Sequence, residues 1–187
     1  LGVSSRQIDD AARGFSYRQD GPLDMRMGPD AARTAEQVVN EYSERDLIKI
    51  FREYGEERAA ARIARSICKE RRESPIRSTQ TLAELVARLV PQRFATKSQA
   101  RIFQAIRIEV NEELVHLEKT LDRLVDMLVP AGRLTILTYH SLEDRIAKRI
   151  VRGTPISQLP RDFPVADPAA GKMKEAVPRG VTANEEE

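Results

Sequence analysis

The sequence predicts an α/β fold, and three observations carry that expectation. Residues 130–132, Pro-Ala-Gly, end a long apolar period, and residues 133–139, RLTILTY, then read as a strand rich in β-branched side chains. His140 opens another helical pattern, so helix, turn, strand and helix follow one another as they do in α/β sheet proteins. Residues 1–29 are rich in Gly, Asp, Arg and Pro without a helical period, and read as a functional loop after a strand end. In such sheets ligands bind beyond the carboxyl ends of strands, where both Gly2-Val-Ser-Ser5 and Tyr139-His-Ser141 would sit. The two segments read as two walls of one site.

Between them the pattern is helical. Ser43 with Asp46 three residues on makes a capping-box-like start, and Leu47, Ile50, Phe51 and Tyr54 run from it to a stop at Gly55. Residues 56–73 follow as the most regular helix, with Arg58, Arg62, Arg65, Lys69 and Arg72 on one narrow arc and Ala60, Ile63, Ala64 and Ile67 opposite. Such an arc can track a phosphate backbone. It can equally be a solvated face paired with Glu70 and Glu73. With no aromatic side chain interleaved, it would position phosphates and leave base reading to other groups. Ser74-Pro75 ends that helix. Ser78 or Thr79 caps the next, which carries Leu82, Leu85, Val86 and Leu89 up to the break at Pro91. Residues 92–98 read as a connector. From Gln99 on, Ile102, Ile106, Val110, Leu114, Leu117, Leu121, Leu124 and Leu128 recur every three or four positions, giving one long helix or two in series. Beyond residue 151 the period disappears among prolines, and residues 152–187 read as an extended C-terminal segment.

Composition narrows the function classes. At 187 residues and 41% hydrophobic content the chain can bury a real core. Its charge is nearly balanced at +2, so an argument for a polyanionic partner has to be local. One cysteine, Cys68, excludes an intrachain disulfide and a cysteine-based zinc cluster. No apolar run reaches the roughly 18 residues needed to span a bilayer, and the expectation is a soluble, cytoplasmic protein without a membrane partner.

Several chemistries fall away. With His116 and His140 alone, a histidine-built metal site is not expected. Ser141 beside His140 lacks a nucleophile elbow, and neither a P-loop nor G-x-G-x-x-G is present. What remains is a polar constellation: Ser4, Ser5, His140, Glu143 and Asp144 offer acceptors, and Arg145 offers a fork for phosphate or base. These groups suit the holding of a nucleobase amine. Ser141 with Asp144 also reads as helix-cap chemistry, and for that pair the cap is the stronger reading.

Taken in order, LGVSSRQIDDAARGFSYRQDGPLDMRM (1–27), YGEERAAARIARSI (54–67), FQAIRIEVNEEL (103–114) and LTYHSLEDRIAKR (137–149) resemble the RsmH/MraW family of bacterial methyltransferases. Those enzymes use S-adenosylmethionine to methylate the N4 amine of a 16S ribosomal RNA cytosine in the small subunit. The resemblance implies a Rossmann-like methyltransferase core, residues 1–28 and 99–151 here. An all-helical insertion, residues 29–98, would interrupt the core and bring Arg58, Arg62, Arg65, Lys69 and Arg72 to the RNA, while Arg145, in the core, is a further RNA-binding candidate. It places the cofactor-contacting glutamine on Gln7 but assigns no catalytic residue, so Ser4, Ser5, His140 and Asp144 are candidates, on their own chemistry, for positioning the substrate base, turned out of its stack. Arg6 stands where the family often has proline, and ATKSQARIFQA (95–105) stands where it commonly reads HPATRTFQA. The family's glycine-rich cofactor loop lies upstream of the LGVSS segment, and a final strand lies beyond an acidic stretch like that at 184–187. The chain is therefore expected to be an incomplete piece of the fold that transfers little methyl when isolated. The alternative is a noncatalytic RNA-binding or interaction fragment.

Overall fold

Every three or four positions an apolar side chain turns inward, and this repetition organises the computed structural model, which describes residues 2–29 and 31–152. The chain divides into two compact units, Gly2–Glu113 and the residues from Leu114 on. The expected segment 152–187 lies, apart from Arg152 at the end of a helix, outside the described residues.

In the first unit a short helix α1 (Ser5–Asp9) and a 3-10 turn (Ala11–Arg13) precede five longer helices: α2 (Ala35–Glu41), α3 (Glu44–Glu53), α4 (Ala60–Glu73), α5 (Thr79–Arg88) and α6 (Ala95–Asn111). Ser43 caps α3 by accepting the Asp46 amide at 3.1 Å, and Ser78 caps α5 by accepting from Thr81 at 3.2 Å, both where the sequence places a cap. Helix α4 buries Ala60, Ile63, Ala64, Ile67 and Cys68, the i, i+3, i+4, i+7, i+8 stripe of an amphipathic helix. Each isoleucine so buried contributes roughly 1.5–3 kcal/mol relative to exposure. Helix α6 packs against α2, α3 and α5, with Ile102, Phe103, Ala105 and Ile106 in the common core.

Three boundaries differ from expectation. Residues 1–29 hold α1 and a 3-10 turn where only loop is expected, because Ser4 and Gln7 form a capping box. Helix α4 begins at Ala60 and not at 56. Glu56 takes a left-handed conformation (φ 49°), and the Glu57 carboxylate accepts the Ala59 amide at 2.8 Å, so the chain turns before the helix starts. The connector expected at 92–98 is a 3-10 turn (Gln92–Phe94) running directly into α6, whose residue Ser98 is buried. The long apolar period from Gln99 resolves into two helices, broken where Glu112 turns left-handed (φ 47°).

The second unit contains α7 (Glu113–Asp126), which begins at the boundary, and α8 (Ser141–Arg152). Leu117, Leu121 and Ala147 form its core, with Leu134, Ile136, Ile146 and Ile150 packed against them. The expected strand at 133–139 is not a strand in the described structure. Half-buried Leu134, Ile136 and Thr138 alternate with exposed Thr135, Leu137 and Tyr139, the period of an extended segment, but no described residue pairs with its backbone as a ladder requires. The β pairing among the described residues is an isolated antiparallel bridge between Pro22 and Ser78. No helix among the described residues is long and apolar enough to cross a membrane.

Candidate functional site

The segment 2–27 is folded by its own polar side chains. At its start the Ser4 backbone amide donates to Gln7 Oε1 at 3.0 Å, and the Gln7 amide donates to Ser4 Oγ at 3.3 Å, a reciprocal cap that fixes both residues at the head of α1. Gln7 Oε1 is thereby turned back into the chain. Asp10 then accepts the Ala12 amide at 3.1 Å and starts the 3-10 turn, which ends in left-handed Gly14 (φ 69°). A Cβ at Gly14 would overlap the Pro22 carbonyl oxygen, and one at Gly21 would overlap the Ala11 carbonyl oxygen, so the two glycines let the loop fold onto itself.

Distant side chains hold the loop in place. The fully buried Thr79 donates its hydroxyl to the Gln19 carbonyl at 2.8 Å and accepts the Gly21 amide at 3.0 Å, tying the loop to the first turn of α5. Arg13 Nη2 donates to the carbonyls of Arg26 at 2.8 Å and Met27 at 3.2 Å. Asn111, the last residue of α6, donates to the Met25 carbonyl at 2.8 Å and accepts the Met27 amide at 2.7 Å. Met25, caught between these groups, is fully buried and left-handed (φ 58°), a conformation that persists only where its surroundings over-determine it. Asp24 clasps Arg26 through two contacts of 2.8 Å, and the hydrogen bonds from that guanidinium hold the Asp24 carboxyl below its usual range against the opposing effect of burial.

A cleft of about 300 Å³ opens beside α1, with Val3, Ile8, Phe15 and Tyr17 on one side and Phe103, Gln104 and Arg107 of α6 on the other. Tyr17 and Phe103 meet edge to face, centroids 5.6 Å apart. Arg107 is held by Glu113 at 2.7 Å. Aromatic walls with a few fixed polar groups are suited to a planar heterocycle. Ser4 and Gln7 stand next to this cleft in sequence, between Val3 and Ile8 of its wall.

In the second unit, Tyr139 donates its amide to Glu143 Oε2 at 2.8 Å, and the His140 carbonyl accepts the Asp144 amide at 3.2 Å, which starts α8. Glu143 is 3% exposed, and its Oε1 lies 3.4 Å from His140 Nε2. Both ring nitrogens of His140 are enclosed without a hydrogen-bond partner, which leaves an imidazole beside a buried carboxylate with its polar atoms uncommitted. Asp144 is engaged by Lys148 at 2.6 Å, while Arg145 is exposed one position on. His140, Glu143, Asp144 and Arg145 thus come together around the start of α8, and Ser4, Ser5 and Gln7 around the start of α1 in the other unit. Glu143 was legible as an acceptor, but its pairing with His140 depends on the turn that starts α8.

Arg58, Arg62, Arg65, Lys69 and Arg72 are all exposed, the last four on α4 and Arg58 in the turn before it, off the helical arc expected for it. Arg65 lies 3.6 Å from Glu44, and Glu70 pairs with Arg88 at 3.4 Å. The neighbouring Arg71 turns inward instead, donating to the Val39 and Tyr42 carbonyls at 2.7 and 2.6 Å. One arginine is structural, and those flanking it in the stripe point to solvent.

A family model described as the MraW methylase family matches residues 1–187. The chain belongs to the MraW methylase family. It is 51% identical over 168 residues to the ribosomal RNA small subunit methyltransferase H of Carboxydothermus hydrogenoformans, covering 88% of the chain and 54% of that relative. The protein of the same name from Tropheryma whipplei is 49% identical over 164 residues, with 87% of the chain and 52% of the relative covered. That from Kineococcus radiotolerans is 48% identical over 191 residues, with 100% and 49% covered. The chain therefore spans about half the length of the curated relatives it matches. Membership in the MraW methylase family implies a Rossmann-like fold dependent on S-adenosylmethionine, to which the described residues contribute mainly helices.

Proposed function

We propose that the protein carrying this chain transfers the methyl group of S-adenosylmethionine to the N4 amine of a cytosine in 16S ribosomal RNA of the small subunit. The observation that carries the reading is the match of the whole chain to the MraW methylase family, with relatives about half identical that are named as small-subunit ribosomal RNA methyltransferases. In this reading residues 29–98 are a helical insertion that meets RNA, and residues 1–28 and 99–151 belong to the methyltransferase core.

The chain's own residues fit a cofactor in one respect. The capping box uses Gln7 Oε1, so the donors on its Nε2 are the part of the side chain suited to oxygens of S-adenosylmethionine. When bound, that cofactor supplies an electrophilic methyl on sulfonium. The remaining work is positioning: the amine lone pair has to aim at the methyl in line with the departing sulfur, and alignment of this kind is worth several orders of magnitude in rate. Ser4, Ser5, His140 and Asp144 are assigned to this task. His140, with Glu143 behind it, and Asp144 accept the hydrogens of the exocyclic amine, and Arg145 takes a phosphate.

The test is methyl transfer from labelled S-adenosylmethionine to small subunits by the full-length protein and by its His140→Ala, Asp144→Ala and Ser4→Ala variants. Loss of turnover with retained RNA affinity is expected for His140→Ala. Unchanged turnover and affinity in all three removes these residues from the site. RNA binding by the wild-type protein without any transfer favours instead a noncatalytic RNA-binding role for this chain, to which the exposed cationic face is already suited.

A further inference from the structure

A second cleft, of about 360 Å³, shares no residue with the one beside α1. Arg58 and Arg62 line one side, and Phe94, Lys97 and Arg101 line the other, where the 3-10 turn passes into α6. Four cations thus converge on a space too small for a helix of any kind and of the size of a single small ligand. Phe94 stands 46% exposed in this cationic setting, with the Arg93 guanidinium 4.8 Å from its ring centroid. A large aromatic left open to solvent among arginines forgoes burial, and a base that stacks on it shares the ring with the Arg93 guanidinium or displaces it.

Beneath these groups lies Glu57, 5% exposed. Its Oε1 accepts the Ala59 amide at 2.8 Å, and its Oε2, without a hydrogen-bond donor, faces Arg101 Nη1 at 3.8 Å. The buried carboxylate anchors the turn before α4 and attracts the Arg101 guanidinium across the floor of the cleft. Arg101 presents the planar donor fork of a guanidinium, which suits the oxygens of a phosphate.

Building on the RNA reading above, we propose that this cleft binds one unpaired nucleotide of the RNA substrate, its base stacked on Phe94 and its phosphate held by Arg58, Arg62, Lys97 and Arg101. Glu57 is a positioning residue for Arg101. Unpaired RNA presents bases free to stack on aromatic side chains, whereas a duplex keeps its bases inside and offers only backbone. The cations of α4 continue past the cleft as Arg65, Lys69 and Arg72, so a strand seated at Phe94 has phosphate partners along that helix. This supplies the aromatic element that the stripe itself lacks.

Fluorescence anisotropy of the full chain with a labelled single-stranded heptaribonucleotide, and separately with a blunt RNA duplex, tests the assignment. Because Phe94 is exposed, Phe94→Ala should leave the circular dichroism melting curve unchanged. It should weaken single-strand binding about tenfold while leaving duplex affinity and the salt dependence alone. Lys97→Ala and Arg101→Ala should weaken both RNAs, and each should lower the slope of log affinity against log salt by about one. If Phe94→Ala binds the single strand within twofold of wild type, the nucleotide site is overturned while the RNA reading stands. If the wild-type chain, folded, binds neither RNA, both fail. An acidic peptide that competes with the single strand and loses affinity in Phe94→Ala reassigns the cleft to a protein partner.

Discussion

Replacing Asn111 by alanine should loosen a motif 84 residues away from it, and the size of the effect can be worked from the structure. Asn111 makes two bonds to the loop, from Nδ2 to the Met25 carbonyl at 2.8 Å and from the Met27 amide to Oδ1 at 2.7 Å, and a third to the Arg107 carbonyl of its own helix at 2.9 Å. At about 1 kcal/mol net per bond, the two bridging bonds account for about 2 kcal/mol. Met25 is fully buried, so its carbonyl is stranded without solvent when the donor goes, and the left-handed backbone there loses one of the restraints that hold it. The expected loss is about 2–4 kcal/mol, or a fall in Tm of roughly 6–12 °C for a chain of this size. Asn111→Asp is the sharper variant. It keeps an acceptor for the Met27 amide but removes both donors and sets a carboxylate against two carbonyls, so it should be at least as unstable as Asn111→Ala. Urea denaturation followed by circular dichroism gives the free energies, and hydrogen exchange at the Met27 amide localises them. An alanine variant within 0.5 kcal/mol of wild type, roughly the scatter of a surface substitution, would sink the reasoning.

Two further outcomes follow from the same geometry. Gly14→Ala combines a left-handed φ of 69° with overlap on the Pro22 carbonyl, and should cost about 2–4 kcal/mol in urea denaturation. Gly28→Ala, with nothing within 4 Å of its added Cβ, should stay within about 0.5 kcal/mol. Equal effects at the two sites would contradict the role given to Gly14. At high pH, Tyr42 sets the behaviour. Burial, then the 2.6 Å hydrogen bond it donates to Glu109 and the charge of that carboxylate, push its hydroxyl up to about 12, against the lowering effect of Arg33. The folded state therefore keeps a proton that the unfolded chain gives up near pH 10, so stability is intact below about pH 10 and falls as pH rises towards 12. Tyr42→Phe should flatten that part of a pH–stability curve, and an unchanged slope between pH 10 and 12 would remove Tyr42 as its source.

Helical faces were legible in the sequence because burial repeats with the turn of the helix. The stripe of α4, the caps at Ser43 and Ser78 and the exposed arc from Arg62 to Arg72 stand where the period puts them, whereas Arg58 is exposed in the turn before α4. Two starts, α1 and α2, were legible in principle, since Ser4 with Gln7 and Thr34 with Gln37 both carry the reciprocal serine or threonine and glutamine spacing of a capping box. In residues 1–29 the density of Gly, Asp and Pro outweighed that signal. Residues 133–139 carry the β-branched side chains of a strand, but pairing is a property of two segments, and no described segment pairs its backbone with them.

The polar clamps were not legible, and the reason is physical. Thr79, Asn111 and Arg13 each hold the segment 13–27 through its backbone carbonyls and amides, which every sequence possesses, so the partner leaves no mark on residue type. Arg71 and Arg72 make the same point within one helix: adjacent and chemically identical, one caps Val39 and Tyr42 from inside while the other faces water. Only the position of the core decides between them. The same holds for His140, whose identity marks it as a candidate acid or base, whereas its enclosure beside Glu143 comes from the turn that starts α8. Residue type can therefore nominate a site in this chain, but the backbone groups that distant side chains hold in place are what give the site a fixed shape.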